Sequence, residues 1–293
     1  PAMVTEGEGM SLGMLFLRIV PDNILVAIVQ ADMLGVIFFS LILGCALIVV
    51  GRKAEKLVSF FDALNEVMLK ITDWIMCLAP IGVFALIATL VARTGIAAFK
   101  PMALYMLVVI LGLVLHAGIT MVGILYFSTK YSPKVFVKQV FPALATGFST
   151  DSSLATIPVT VDCLERGVGV SKKVSSFVVP LGATMNMDGT ALYEAVAVLF
   201  IAQVYGIDLS LMQQVIVCIT ATLASIGTAG IPSAGLVTMV IVLRAVNVPI
   251  EGIGIILAVD RILDMCRTVV NIFGDTCVAT VIATLEGEKL QKE

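Results

Sequence analysis

Between Met102 and Phe127 the chain runs for 26 residues without an Asp, Glu, Lys or Arg. A helix of about 20 mostly apolar residues crosses the hydrocarbon core of a bilayer, so this run reads as a membrane span. Two further apolar stretches precede it, from about Leu12 to Val50 and from about Leu57 to Ala92. The first is interrupted by Pro21-Asp22-Asn23 and by Asp32, and it reads as a broken, multi-part span. Composition agrees. The chain is 59% hydrophobic and 13% charged, whereas soluble domains carry about 45–50% apolar and about 25% charged residues. Too few charges remain to cover a water-facing surface. That excludes an ordinary soluble enzyme, a nucleic-acid binder and a disordered chain. The net charge of −3 gives no polybasic partner signal. Six scattered cysteines with no CxxC pair read as reduced core residues, and no leader pattern follows Pro1. The expectation is an all-α polytopic membrane protein.

Basic residues set the topology. They cluster at 52–56, 130–138 and 166–173. The first two clusters flank two spans, as expected if both are cytoplasmic. Only 27 residues, Gln139 to Glu165, separate the second from the third, and two crossings need about 40. A re-entrant hairpin that enters and leaves on the cytoplasmic face satisfies both constraints. A span broken at Asn186-Met187-Asp188-Gly189-Thr190 follows. The next segment, about Leu211 to Val246, has a Gly/Pro-rich centre at 225–235 and reads as a second hairpin opening from outside. A final helix runs from about Glu251 to Leu285. Hairpin and span, then hairpin and span from the opposite face, form an inverted repeat, which points to a secondary transporter with a site near the midplane.

The last helix carries the chemistry. Asp260, Asp264, Arg267, Asn271 and Asp275 follow at spacings of 4, 3, 4 and 4. At the helical pitch they fall within roughly an 80° arc and make one polar stripe. Ionisable groups at membrane depth line a bundle interior or an aqueous path. An internal ion-pair network accounts for Arg267 with Asp264 but leaves Asp275 and Asp188 unmatched, whereas bound cations would balance both. The break at 186–190 frees carbonyls beside Asn186 and Asp188, hard oxygen donors suited to a small cation. The hairpin tips, Ser149 to Ser153 and 225–235, offer half-helix N-termini that favour anionic groups.

Three segments, NMDGT at 186–190, SIGTAGIPSAG at 225–235 and DMCRTVVNIFGD at 264–275, closely resemble the glutamate transporter homologue family, the dicarboxylate/amino acid:cation symporters. The resemblance covers essentially the whole chain. It implies an elevator-type fold with two re-entrant hairpins, in which residues 1–128 are scaffold-type helices and 129–293 a transport domain. That domain would comprise hairpin 133–168, broken span 171–207, hairpin 210–246 and last span 250–285. It also implies a homotrimer in lipid that moves an acidic amino acid, glutamate or aspartate, with two or three sodium ions and a proton as a further candidate. No organic cofactor, nucleic acid or enzymatic activity is expected.

The resemblance also implies residue roles. Arg267 would meet the substrate side-chain carboxylate and Asp264 its amino group. Asn271, Thr190, Thr268 and Ser153 would hold the main-chain carboxylate and orient the ligand, and Ser152, Ile231 and Gly235 would complete the substrate site. One sodium site would use Asp275, Asn186 and carbonyls of Gly182 and Asn271. A second would use Thr184, Met187, Ser225, Ile226 and Thr228, and Asp188 would belong to a third. The resemblance implies three further spans ahead of the first one here, so Asp188 should lack partners. Glu194, an acid one turn beyond the break where proton-coupled members carry one, is the proton-coupling candidate.

The chain departs from the family at the first hairpin tip, where Asp151 and Leu154 replace small polar residues. Arg261 lies about 100° off the polar stripe, and a pair between Asp151 and Arg261 is expected beside the substrate. His116 reads as a satisfied core or interface histidine, and Asp73 and Arg244 as scaffold or boundary residues. Among rival readings, an intramembrane metalloprotease would need HExxH, which is absent. An ion channel could use the polar stripe, and C4-dicarboxylates compete with acidic amino acids as substrates. The absence of an N-x-[ST] sequon suggests a bacterial inner membrane, with the C-terminus cytoplasmic.

Overall fold

The computed structural model describes residues 23–29, 33–78, 99–226, 228 and 230–291, with isolated positions between 20 and 92. Residues 1–98 and 99–293 form two compact units. The first contains helices α1 (Ile24–Val29), α2 (Met33–Val50) and α3 (Glu55–Met76). Apolar side chains cover every face of α2, as lipid contact requires. Gly51, at φ +62°, turns the chain between α2 and α3 through a short 3₁₀ segment. Pro21, Asp22 and Asp32 lie outside the described residues, as does the side chain of Asp73.

The second unit begins with the span read from its charge-free run. It forms α4 (Phe99–Leu115), a π-helical turn (His116–Met121) and α5 (Val122–Thr129). The first hairpin follows as α6 (Pro133–Thr150) and α7 (Ser153–Asp162) with a terminal π turn to Val168. Proline occupies the first turn of α6, where a missing N–H costs nothing. At its far end Asp151 is left-handed and Ser152 caps α7 by accepting from Ala155 N. The interrupted span is α8 (Lys172–Met185) and α9 (Asp188–Val204), parted at Asn186 and Met187, whose backbone leaves the helical region. The second hairpin is α10 (Leu211–Ile226) and α11 (Ala234–Ala245), and the last helix is α12 (Ile253–Leu285). No strand occurs among the described residues. Among the described residues three helical stretches, Lys100–Thr129, Lys172–Val204 and Ile250–Leu285, are long and apolar enough to cross a membrane.

The last helix is the hub of this unit. Both arms of the first hairpin, both halves of the broken span, α4 and α5 pack against it, while the second hairpin lies on α9. Ile272 of α12 leaves no room for a side chain at Gly147, where a Cβ would sit 2.2 Å from its Cδ1. One apolar core, including Tyr131, Phe136, Leu164, Val178 and Phe273, fills one end of the unit. There the chain end folds back. Gln291 N donates to Val168 O at 2.8 Å, its carbonyl accepts from Tyr131 Oη, and Glu288 accepts from Ser171 N at 2.8 Å and Ser171 Oγ at 2.5 Å.

Candidate functional site

All five residues of the polar stripe on α12 are buried. An unpaired charge in such a setting is costly, and the groups around the stripe supply partners. Arg267 Nε donates to Asp264 Oδ1 at 2.5 Å, and its guanidinium carbon lies 4.7 Å above the Tyr193 ring. Tyr193 in turn donates from its hydroxyl to Asp260 at 2.5 Å. Arg267 is thus gripped by a carboxylate on its own helix and by an aromatic face from α9, itself tethered to a second carboxylate. Arg267 Nη1 has no hydrogen-bond partner among the described residues.

The two hairpin tips meet over this pair. Ser152 Oγ donates to Gly230 O at 2.7 Å, Leu154 N approaches the same carbonyl at 3.3 Å, and Ser233 N donates to Asp264 Oδ2 at 2.5 Å. Ser153, Thr190, Ile231, Gly235, Asp264, Arg267, Thr268 and Asn271 line one small space, so apart from Ser152 at its rim the substrate set converges. About 10 Å³ is free there, roughly one water-sized probe, and an amino acid enters only if a tip moves. A larger cavity of about 430 Å³ opens beside the break and is lined by Asn186, Met187, Asp188, Ser225 and Ile226 among others. The smaller space holds the charged pair, and the larger one holds cation-type donors.

At the break the donors are oxygen-rich. Asn186 Nδ2 donates to Asp275 Oδ1 at 3.0 Å, and Gly189 N donates to Asn271 Oδ1 at 2.8 Å. Asn271 Nδ2 donates to Thr190 Oγ1 at 3.0 Å and approaches Met187 Sδ at 3.3 Å. The Asp275 carboxylate rests on Gly182, where a Cβ would stand 2.4 Å from Oδ1. Asp188 Oδ1 is buried without a hydrogen-bond partner among the described residues. Carboxylate, amide and carbonyl oxygens with one unsatisfied oxygen fit a hard cation. Asn186, Gly182, Asn271 and Asp275 would hold one, and Asp188 another.

One expectation is corrected. Asp188 has a partner in the chain: its Oδ2 is hydrogen-bonded to His116 Nε2. The π turn at 116–121 begins at His116, so the only histidine of the chain serves a site residue. Thr184 leaves its side chain exposed and its hydroxyl donates back to Leu181 O at 3.0 Å, so it could offer a cation only its carbonyl. Threonine in a helix commonly bonds the preceding turn in this way. Thr228 faces the smaller space and hydrogen-bonds Ala224 O and Thr238. Gly227 and Ala229 lie outside the described residues. Glu194 is fully buried and accepts from the Thr238 hydroxyl. The expected Asp151–Arg261 pair forms at 2.7 Å. Tyr193 and Thr238 escaped the sequence reading, although Tyr193 stands three residues after Thr190, on the same helix face.

Long apolar helices, a hub helix bearing buried charges and two hairpin tips closed on an Asp–Arg pair define an integral membrane protein with an internal polar site. Residues 2–285 match the sodium:dicarboxylate symporter family. The chain belongs to that family. It is 45% identical over 253 residues to an excitatory amino acid transporter of Caenorhabditis elegans, covering 86% of this chain and 50% of that protein. It is 45% identical over 262 residues to excitatory amino acid transporter 3 of Mus musculus (89% and 50%), and 44% identical over 261 residues to human excitatory amino acid transporter 2 (88% and 46%). The chain thus spans about half the length of the curated relatives it matches.

Proposed function

We propose that the protein is a secondary active symporter that moves an acidic amino acid across the membrane with sodium. The observation that carries this reading is the buried Asp264–Arg267 pair between the hairpin tips, with Arg267 Nη1 lacking a partner. A guanidinium suits the side-chain carboxylate of glutamate or aspartate, and a carboxylate suits the ammonium. Asn271 and Thr190 lie where the main-chain carboxylate would be held, and Ser152 and Ser153 shape the tip above it. The relatives' name, excitatory amino acid transporter, supports the substrate class.

Asp264 accepts from Arg267 and Ser233 in the closed arrangement. A ligand ammonium would take the place of the Ser233 N–H and release that tip, making the second hairpin the gate. Bound sodium would supply positive charge to offset Asp275 and Asp188 near a substrate of net charge −1. Met187, Ser225, Ile226 and Thr228 would provide a further sodium site, and Glu194 would carry a proton. We further propose that residues 129–293 act as an elevator-type transport domain in a homotrimer, and that the C-terminus is cytoplasmic. A bacterial inner membrane is our proposed location, resting on the missing sequon.

The test is competition of aspartate, glutamate, succinate and serine for sodium-dependent binding and for uptake into proteoliposomes. Aspartate or glutamate should compete strongly, and only with sodium present. Equal competition by succinate would favour a dicarboxylate carrier, and substrate-stimulated ion flux without accumulation would favour a channel.

A further inference from the structure

Asp151 occupies the turn between the two arms of the first hairpin at φ +55°, a left-handed conformation that aspartate tolerates better than most residues. Its carboxylate is turned inward and buried. Thr268 Oγ1 donates to Asp151 Oδ1 at 3.1 Å, and Arg261 Nη1 stands 2.7 Å from Oδ2, close as an ion pair though misaligned for a hydrogen bond. Both partners belong to α12, and Arg261 reaches inward from its partly exposed edge.

Thr268 also lines the space that holds Asp264 and Arg267. A threonine hydroxyl has one proton and two lone pairs. Its proton is committed to Asp151, so it presents only lone pairs to a ligand. A group that needs an acceptor there is an ammonium. A carboxylate in the same place would meet lone pairs and be repelled.

We infer that Asp151 is a specificity-determining residue: by holding the Thr268 hydroxyl as an acceptor beside Asp264, it selects diacids that carry an amino group over those that lack one. Arg261 compensates the charge of Asp151, so the hairpin tip orients Thr268 without adding a net negative charge next to an acidic ligand. Asp151 acts through Thr268 and is a positioning residue. The inference rests on the acidic amino acid reading above and states how the ligand's amino group is distinguished.

The test compares aspartate with succinate, which shares its carbon skeleton and both carboxylates but lacks the amine. Inhibition constants for the two against sodium-dependent ligand binding are measured in the wild type, Thr268→Val, Thr268→Ser and the double variant Asp151→Ala/Arg261→Ala. Removing both charges together avoids leaving one buried and unpaired. The preference for aspartate over succinate should fall about tenfold in Thr268→Val and in the double variant, the worth of one hydrogen bond to a charged group. Thr268→Ser should keep the preference, because its hydroxyl can still donate to Asp151. Should that variant fail to fold, Asp151→Gly/Arg261→Met, with the residue that the left-handed turn tolerates best, takes its place with the same expected loss. A wild type that prefers aspartate, with a ratio indifferent to these variants, overturns the inference alone. A wild type that prefers succinate overturns the amino acid reading and this inference with it.

Discussion

Gly235→Ala sets the reading of the site against the stability of the helix that carries it. Gly235 lies in the first turn of α11, and a Cβ built there would stand 2.1 Å from Arg267 Nη1, 2.8 Å from Cζ and 3.0 Å from Nη2. Ordinary contact begins near 3.4 Å, so the fork must retreat by roughly 1.3 Å. Its retreat is resisted by Asp264, which holds Nε at 2.5 Å, and by the Tyr193 ring. A displacement of that size takes the planar fork out of register with a ligand carboxylate. Losing one charge-assisted hydrogen bond costs about 1.5–3 kcal/mol, which is a weakening of roughly 10- to 150-fold. Alanine in place of a helical glycine acts the other way on the fold and contributes about 0.5–1 kcal/mol of stability. Overpacking a buried site costs about 1–3 kcal/mol, so binding should collapse while thermal stability falls only modestly. The assay is competition by aspartate in sodium, paired with thermal unfolding in the same detergent. Serine, which has no side-chain carboxylate for Arg267 to meet, should lose far less affinity than aspartate. Unchanged aspartate affinity in a stable variant would refute the role given to Arg267.

Three further outcomes are expected. His116→Leu should raise the sodium concentration needed for half-maximal aspartate binding, whereas His116→Gln, which can still donate to Asp188, should stay near wild type; equal sodium curves for all three would remove His116 from the site. Tyr193→Phe keeps the ring over Arg267 but loses the bond to Asp260, costing about 0.6–1.7 kcal/mol as interhelical hydrogen bonds in membranes do. Tyr193→Leu should in addition weaken aspartate binding, and equal binding in the two variants would deny the ring a role. Glu194→Gln should flatten the pH dependence of uptake, and a profile as steep as wild type would dismiss Glu194 as the proton carrier.

Some of this was legible before any coordinates. The stripe on α12 announced itself because charges are expensive in an apolar helix, and the break at Asn186 and Met187 because an amide and a carboxylate interrupt a span. The first hairpin followed from the short separation of two basic clusters. Contacts that depend on how helices register against one another were less visible. His116 meets Asp188 across 72 residues, and only the π turn at its own position aims it there. Tyr193 looked like ordinary core because its ring does two jobs, one apolar and one against a guanidinium. For Thr184, nothing in its neighbourhood tells whether its hydroxyl reaches outward or back to its own helix. The Asp151–Arg261 pair was readable because two charges stood out of place, on a hairpin tip and on the helix it packs against.

The folded-back chain end, described with the fold, gives the two hairpins unequal mechanics. The first is pinned at its tip by Asp151 to α12 and at its base by Gln291, while Glu288 holds Ser171 just beyond it. Among the described residues the second fastens its tip through Gly230 and Ser233. Pulled by a ligand or by thermal motion, the first hairpin and the last helix should travel as one stiff lever, while the second hairpin swings as the compliant leaf. Hydrogen exchange would register this as slow amides at 168–171 and 291, close to the end of the chain, beside fast ones at 230–234.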